Sequence, residues 1–130
     1  MIVIDASAAV DWLLGSPAGQ RIENRIYARN ETLHAPHLID VEVAHAFRRL
    51  EREDVISARR ADEAITDLTD LRLTRYPHTL FVPRIWQLRH NFSAYGAAYV
   101  GLAEKLGCPL VTRDSRLASA SGHAASIELF

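Results

Sequence analysis

Short apolar runs set apart by helical stretches limit the folds open to this chain more than anything else in it. Ile2–Ile4, Thr32–Ala35 and Pro109–Thr112 are each too short to be helices and read as buried strands. The stretches between them repeat at helical spacing. Ser7 is placed to cap a helix through Leu14, which Gly15 ends, and Ser16-Pro17 begins another toward Arg29. Ile39, Val43, Phe47 and Leu50 mark a long helix from about His37 to Glu53, and Pro36 ends the strand before it. Ser57 caps a helix to Leu71, Leu73–Tyr76 is a short strand, and Leu80 to His90 is helical. Ser93 caps a helix from Ala94 to Leu106, ended by Gly107, and Ser126–Leu129 is an edge strand. Strands alternating with helices predict a parallel sheet covered on both faces, a three-layer α/β/α fold. At 130 residues, one domain spanning 1–130 is expected.

Composition narrows the functional classes. Apolar residues make up 48% and charged residues 24%, the balance of a globular protein. No apolar run approaches the length of a membrane span, and Met1 leads straight into a strand rather than a signal peptide, so the cytoplasm is the expected compartment. Cys108 is the lone cysteine, which excludes an internal disulfide and suits core packing. Net charge is −1, so bulk charge does not announce a nucleic-acid binder. Lys105 is the lone lysine, however, and every other basic side chain is arginine, which suits bidentate contacts to phosphate.

The acids are placed unusually. Asp5 closes the first strand, Asp114 follows the strand ending at Thr112, and Glu42 lies on the long helix off its apolar stripe. In parallel sheets, sites form beyond the carboxyl ends of the strands, where Asp5 and Asp114 would sit. Carboxylates gathered in one cleft repel each other, and a hard divalent cation resolves the conflict. Taken singly, an Asp after a strand is a turn former and a Glu on a helix faces solvent; joint placement is what raises the reading. Asp11 reads as a solvated helix position, Asp40 points away from Glu42, and His45 shares the Glu42 face as a hydrogen-bonded, partly buried histidine. The other histidines lack zinc-like spacing, and Trp12 and Trp86 read as core or partner-facing.

Four segments in order resemble the motifs of PIN-domain ribonucleases, in the spacing and length of VapC-type toxins. They are Ile2-Val3-Ile4-Asp5-Ala6-Ser7, Ala35-Pro36-His37-Leu38-Ile39-Asp40-Val41-Glu42, Ser93-Ala94-Tyr95-Gly96-Ala97-Ala98-Tyr99 and Leu110-Val111-Thr112-Arg113-Asp114. The resemblance implies a PIN-like fold and a Mg²⁺- or Mn²⁺-dependent endoribonuclease that leaves a 5′-phosphate and a 3′-hydroxyl. Asp5, Glu42 and Asp114 would be its catalytic, metal-facing carboxylates. Ser7 and Thr112 would be hydroxyls that orient them, although a helix cap and an ordinary strand residue explain the two equally well. The same resemblance implies a cognate antitoxin, an RNA substrate and a homodimer. The helices from Ser16 to Arg29 and from Ser57 to Leu71 carry apolar stripes expected to stay partly uncovered and to form the antitoxin groove.

One member of the set is missing. The third motif has an aspartate where this chain has Gly96, and neither Tyr95 nor Ala97 can replace it. Glu104 lies two turns further along the helix and cannot reach the same place. Gly96 is either an inactivating change or natural divergence, and either way weakened activity is expected. The competing reading is a non-catalytic PIN-like module that binds an antitoxin and RNA. A receiver-like phosphoryl-transfer domain fits less well, because Lys105 is misplaced before Gly107.

Overall fold

A computed structural model describes residues 1–130. Strand β1 (Ile2–Ile4) leads into helices α1 (Ala6–Leu14) and α2 (Pro17–Ala28), then β2 (Leu33–Pro36). Helices α3 (Leu38–Arg52) and α4 (Ala58–Asp70) precede β3 (Leu73–Tyr76). A 3₁₀ turn (His78–Phe81) runs into the short α5 (Val82–Gln87), followed by α6 (Ala94–Leu106), β4 (Leu110–Thr112), α7 (Ser115–Ser119) and β5 (Ile127–Leu129). The five strands are all parallel, in the order β3-β2-β1-β4-β5. With helices covering the sheet, this is the three-layer α/β/α arrangement that the alternation predicts.

The strand order decides where chemistry can occur. β1 is central and pairs with β2 on one side and β4 on the other. The chain leaves β1 toward β2 and later returns to its other flank, so β1 and β4 straddle a topological switch point. Residues just past these two strands, Asp5 and Asp114, are thereby brought to one rim from opposite ends of the sequence.

Burial follows the apolar pattern. Ile2, Val3 and Ile4 are fully enclosed, as are Leu110 and Val111 of β4. Helix α6 lies against β1, β2 and β4, and every residue from Ala97 to Ala103 is buried, which explains its small, apolar composition. Ile39, Val43 and Phe47 are the inner face of α3, and Cys108 packs into the core. Helices α1 and α2 approach so closely at Gly19 that a Cβ there would stand 2.0 Å from the Asp11 carbonyl oxygen.

Several local expectations need correction. Asp5, not Ser7, caps α1: its backbone is extended and its side chain accepts from the Ala8 amide, while Ser7 lies inside the first turn. Pro36 is the last residue of β2 rather than its terminator. The helix expected over Leu80 to His90 is shorter and starts as a 3₁₀ turn, because Pro83 falls in its first turn. Helix α7, just after Asp114, was not foreseen. The inner stripe of α2 is covered, with Ile22 and Ile26 buried, and that of α4 is covered at Leu68 but only partly at Ile65 and Leu71.

Candidate active site

A cavity of about 410 Å³ opens at the carboxyl rim and is lined by Asp5, Glu42, Gly96 and Asp114 together. Residues far apart in sequence thus share one cleft. The acids do not close into a preformed cage of three ligands.

Asp5 is the most constrained of them. Its Oδ1 accepts from the Ser7 hydroxyl at 2.7 Å and the Ala8 amide at 2.9 Å, and its Oδ2 accepts from the Thr112 hydroxyl at 2.5 Å. Each hydroxyl also takes a backbone amide from beyond β4. The Arg113 amide donates to Ser7 Oγ, and the Asp114 amide donates to Thr112 Oγ1, both at 2.9 Å. Ser7 and Thr112 therefore act together as a clasp that binds the end of β1 to the end of β4 around a buried carboxylate. Burial pushes the Asp5 carboxyl above its ordinary range, the three donated hydrogen bonds oppose this, and the nearby Asp114 adds to it.

Glu42 projects from α3, half-buried, and its Oε2 accepts from the Tyr99 hydroxyl at 2.5 Å. Its carboxyl is also raised, first by burial and further by Asp5, with the Tyr99 bond working against both. The Tyr99 hydroxyl is shifted upward in turn by its burial and by Glu42, so it stays a neutral donor. Asp114 caps α7: its Oδ1 accepts from the Arg116 amide at 2.9 Å and the Leu117 amide at 3.4 Å. Glu42 Oε1 and Asp114 Oδ2 make no hydrogen bond within the chain and remain free for a ligand. An all-oxygen donor set of this kind suits a hard divalent cation that keeps several waters.

Gly96 is the third residue of α6, and its amide donates to the Ser93 cap at 3.1 Å. A Cβ at this position would lie 3.3 Å from Leu117 Cδ1 and 3.5 Å from Ser93 Oγ. The side-chain end of Leu117 can yield by a few tenths of an ångström, so a carboxylate can be built here. Glu104 is committed elsewhere, to Arg84 at 2.7 and 2.8 Å.

The neighbours of the acids sort themselves out. Asp40 pairs with Arg75 at 2.7 and 2.8 Å, away from the cleft as expected. Asp11 is not simply solvated: it accepts from Ser16 Oγ at 2.6 Å and from Arg113 Nε at 2.8 Å, and so turns Arg113 aside from the acids. His45 is exposed rather than partly buried, and it lines a second cavity of about 730 Å³ beside the first, with Glu42, Arg49 and Tyr95. Trp12 packs on the core, whereas Trp86 is exposed under the Arg89 guanidinium. The sequence reading missed two residues. Tyr99 reads as packing because it lies on the buried stripe of α6, and Tyr95 reads the same way although it faces solvent at the cleft.

Comparison with known proteins fits this geometry. A family model described as the PIN domain matches residues 2–122. Ribonuclease VapC12 of Mycobacterium tuberculosis is 44% identical over 129 residues, covering 99% of this chain and 98% of that protein. The chain belongs to the VapC-type PIN-domain family. Ribonuclease VapC1 of the same organism is 46% identical over 131 residues, covering 98% of this chain and 96% of its own length. Among solved structures, PAE2754 from Pyrobaculum aerophilum superposes with a TM-score of 0.69 at 21% identity, over 97% of this chain and 81% of that one. Mycobacterium tuberculosis VapC20, a sarcin-ricin loop cleaving toxin, gives 0.66 at 16% identity, over 95% and 97%. These two likenesses are of fold.

The raised Glu42 carboxyl gives a test in the VapC-type chain itself. A folded pKa above the unfolded value means that Glu42 favours folding below the unfolded carboxylate range, and that this contribution is lost as pH rises through the folded pKa. Glu42→Gln keeps an acceptor for Tyr99 without the charge. In EDTA at neutral pH the variant should melt higher than the parent, with the gap closing toward about pH 4. A gap that is absent at neutral pH, or that widens in acid, contradicts the raised carboxyl.

Proposed function

We propose that the chain is the endoribonuclease toxin of a type II toxin–antitoxin pair and hydrolyses RNA phosphodiester bonds at the Asp5–Glu42–Asp114 cleft. The observation that carries this reading is the sharing of one cleft by these three acids in a chain 44% and 46% identical to VapC ribonucleases over nearly its full length. Asp5, Glu42 and Asp114 would hold a Mg²⁺ or Mn²⁺ ion, Glu42 and Asp114 each with a carboxylate oxygen that makes no hydrogen bond within the chain. Such an ion would activate a water and stabilise charge on a phosphoryl oxygen. The chain's own residues do the positioning. Ser7 and Thr112 hold Asp5 in one orientation, and Tyr99 keeps Glu42 turned into the cleft.

Gly96 limits the activity. Three acids hold a divalent ion more weakly than four, so the chain as given should bind Mn²⁺ weakly and cleave RNA slowly or not at all. The second reading, a non-catalytic module that binds an antitoxin and RNA, draws its support from the same glycine. RNA cleavage and Mn²⁺ calorimetry on the chain, on Gly96→Asp and on an Asp5→Ala blank separate the two. Gly96→Asp should tighten Mn²⁺ and raise cleavage at least tenfold, while Asp5→Ala shows neither. Equal cleavage by the chain and by Gly96→Asp would mean that no acid is needed at position 96. Absence of cleavage in every version would favour the non-catalytic module.

The proposed protein partner is a cognate antitoxin, with a second copy of the chain as the other. The cavity beside the acids offers apolar surface for an antitoxin segment. Val10 and Ala46 line it, and Val41 is 73% exposed there. It is more open than the α2 and α4 stripes, which are covered except at Ile65 and Leu71. Light scattering should return twice the 14.5 kDa chain mass for the protein alone, and a larger complex on co-expression with the product of an adjoining small reading frame. A monomer that captures no such product contradicts both partners.

A further inference from the structure

We propose that Tyr95 is the base-stacking residue of the RNA site, holding an unpaired base next to the scissile phosphate. The inference rests on the endoribonuclease reading and deepens it. Tyr95 is the second residue of α6 and precedes Gly96, so its ring stands at the mouth of the acidic cleft. It forms part of the wall of both cavities, the one with Asp5 and Asp114 and the one with His45 and Arg49. The ring is thus on the ridge between them, and it is 63% exposed. The helix does not need such a residue there for its core, because α6 buries the face that begins at Ala97.

Charge explains which strand would pass over this ridge. Between the acids, a phosphate is accepted only together with a cation, but cationic side chains flank them. Arg49 takes part in none of the chain's ion pairs. The Arg116 guanidinium, on a side chain 94% exposed in the wall of the acidic cleft, makes only a 3.7 Å contact to Asp114. A strand with one phosphate at the acids can place neighbouring phosphates near Arg49 and Arg116, and the base between them then meets the Tyr95 ring. An aromatic platform between phosphate contacts is how single strands are held, and a base paired in a duplex cannot reach it. The substrate region is therefore single-stranded at the cut.

The test uses a single-stranded RNA oligonucleotide carrying 2-aminopurine, with Mg²⁺ present, and the chain alongside Tyr95→Phe and Tyr95→Ala. The parent should bind the RNA and quench the fluorophore. Tyr95→Phe should do both, and Tyr95→Ala should bind roughly tenfold more weakly and lose the quench. Alanine binding and quenching like the parent overturns the assignment, as does phenylalanine behaving like alanine, since either removes stacking as the cause. A Tyr95→Ala that loses only capture of the antitoxin assigns the ring to the protein partner and also overturns it. A parent that binds no RNA overturns the endoribonuclease reading itself, whereas a parent that binds while alanine is unaffected overturns Tyr95 alone.

Discussion

Everything at the rim depends on one buried carboxylate. Asp5 accepts three hydrogen bonds, from Ser7, Ala8 and Thr112, and through the two hydroxyls it joins the ends of β1 and β4. The same side chain starts α1 by capping it. An acid here therefore closes the switch point, orients the first helix and charges the cleft at once. Losing the carboxylate would leave the Ser7 and Thr112 hydroxyls and the Ala8 amide without their acceptor in a buried place, which is costly. The charge itself is costly too. Burial raises the Asp5 and Glu42 carboxyls, and each feels a neighbouring acid. A buried Asp5 and a half-buried Glu42 that resist ionisation suit the cation proposed above, which would offset both the burial of their charge and their mutual repulsion.

Gly96 changes this balance in both directions. One acid fewer means less repulsion in the metal-free cleft, and also fewer oxygens for the ion. The surroundings have not closed over the gap, since a Cβ there meets only the yielding end of Leu117, Ser93 Oγ and, at 3.9 Å, Phe92. The Ser93 cap, the Tyr99–Glu42 bond and the Asp5 clasp all persist around it. The rest of the cleft thus leaves space for a side chain at position 96.

The fold and the cleft were legible in the sequence to different depths. The strands were readable because each is a short run, wholly apolar in β1 and mixed with polar residues toward the edges, as at Arg75 of β3 and Glu128 of β5, and parallel pairing followed from the helices between them. Asp5, Glu42 and Asp114 were readable because their flanking motifs came in family order. The contacts that fix those acids were not. Tyr99 lies 57 residues from Glu42 and shares a stripe with core residues, so periodicity assigns it to packing. Ser7 and Asp5 both have capping side chains, and only the backbone angles at Asp5 show which of them ends the strand. The α2 and α4 stripes looked uncovered because a sequence does not show how much surface its own neighbours supply. His45 looked partly buried because it shares the Glu42 face of the helix, yet it is exposed at the open cavity.

The central claim is that the repulsion stored in this cleft is relieved by a divalent cation bound between its acids. Melting temperature against Mn²⁺ concentration at neutral pH tests it without recourse to activity, because a ligand that binds only the folded state raises the melting temperature by mass action. The account predicts a concentration-dependent rise for the chain, a larger one for Gly96→Asp, and none for a Glu42→Gln, Asp114→Asn double variant. An equal rise in that double variant, or no rise in any of the three, would contradict it.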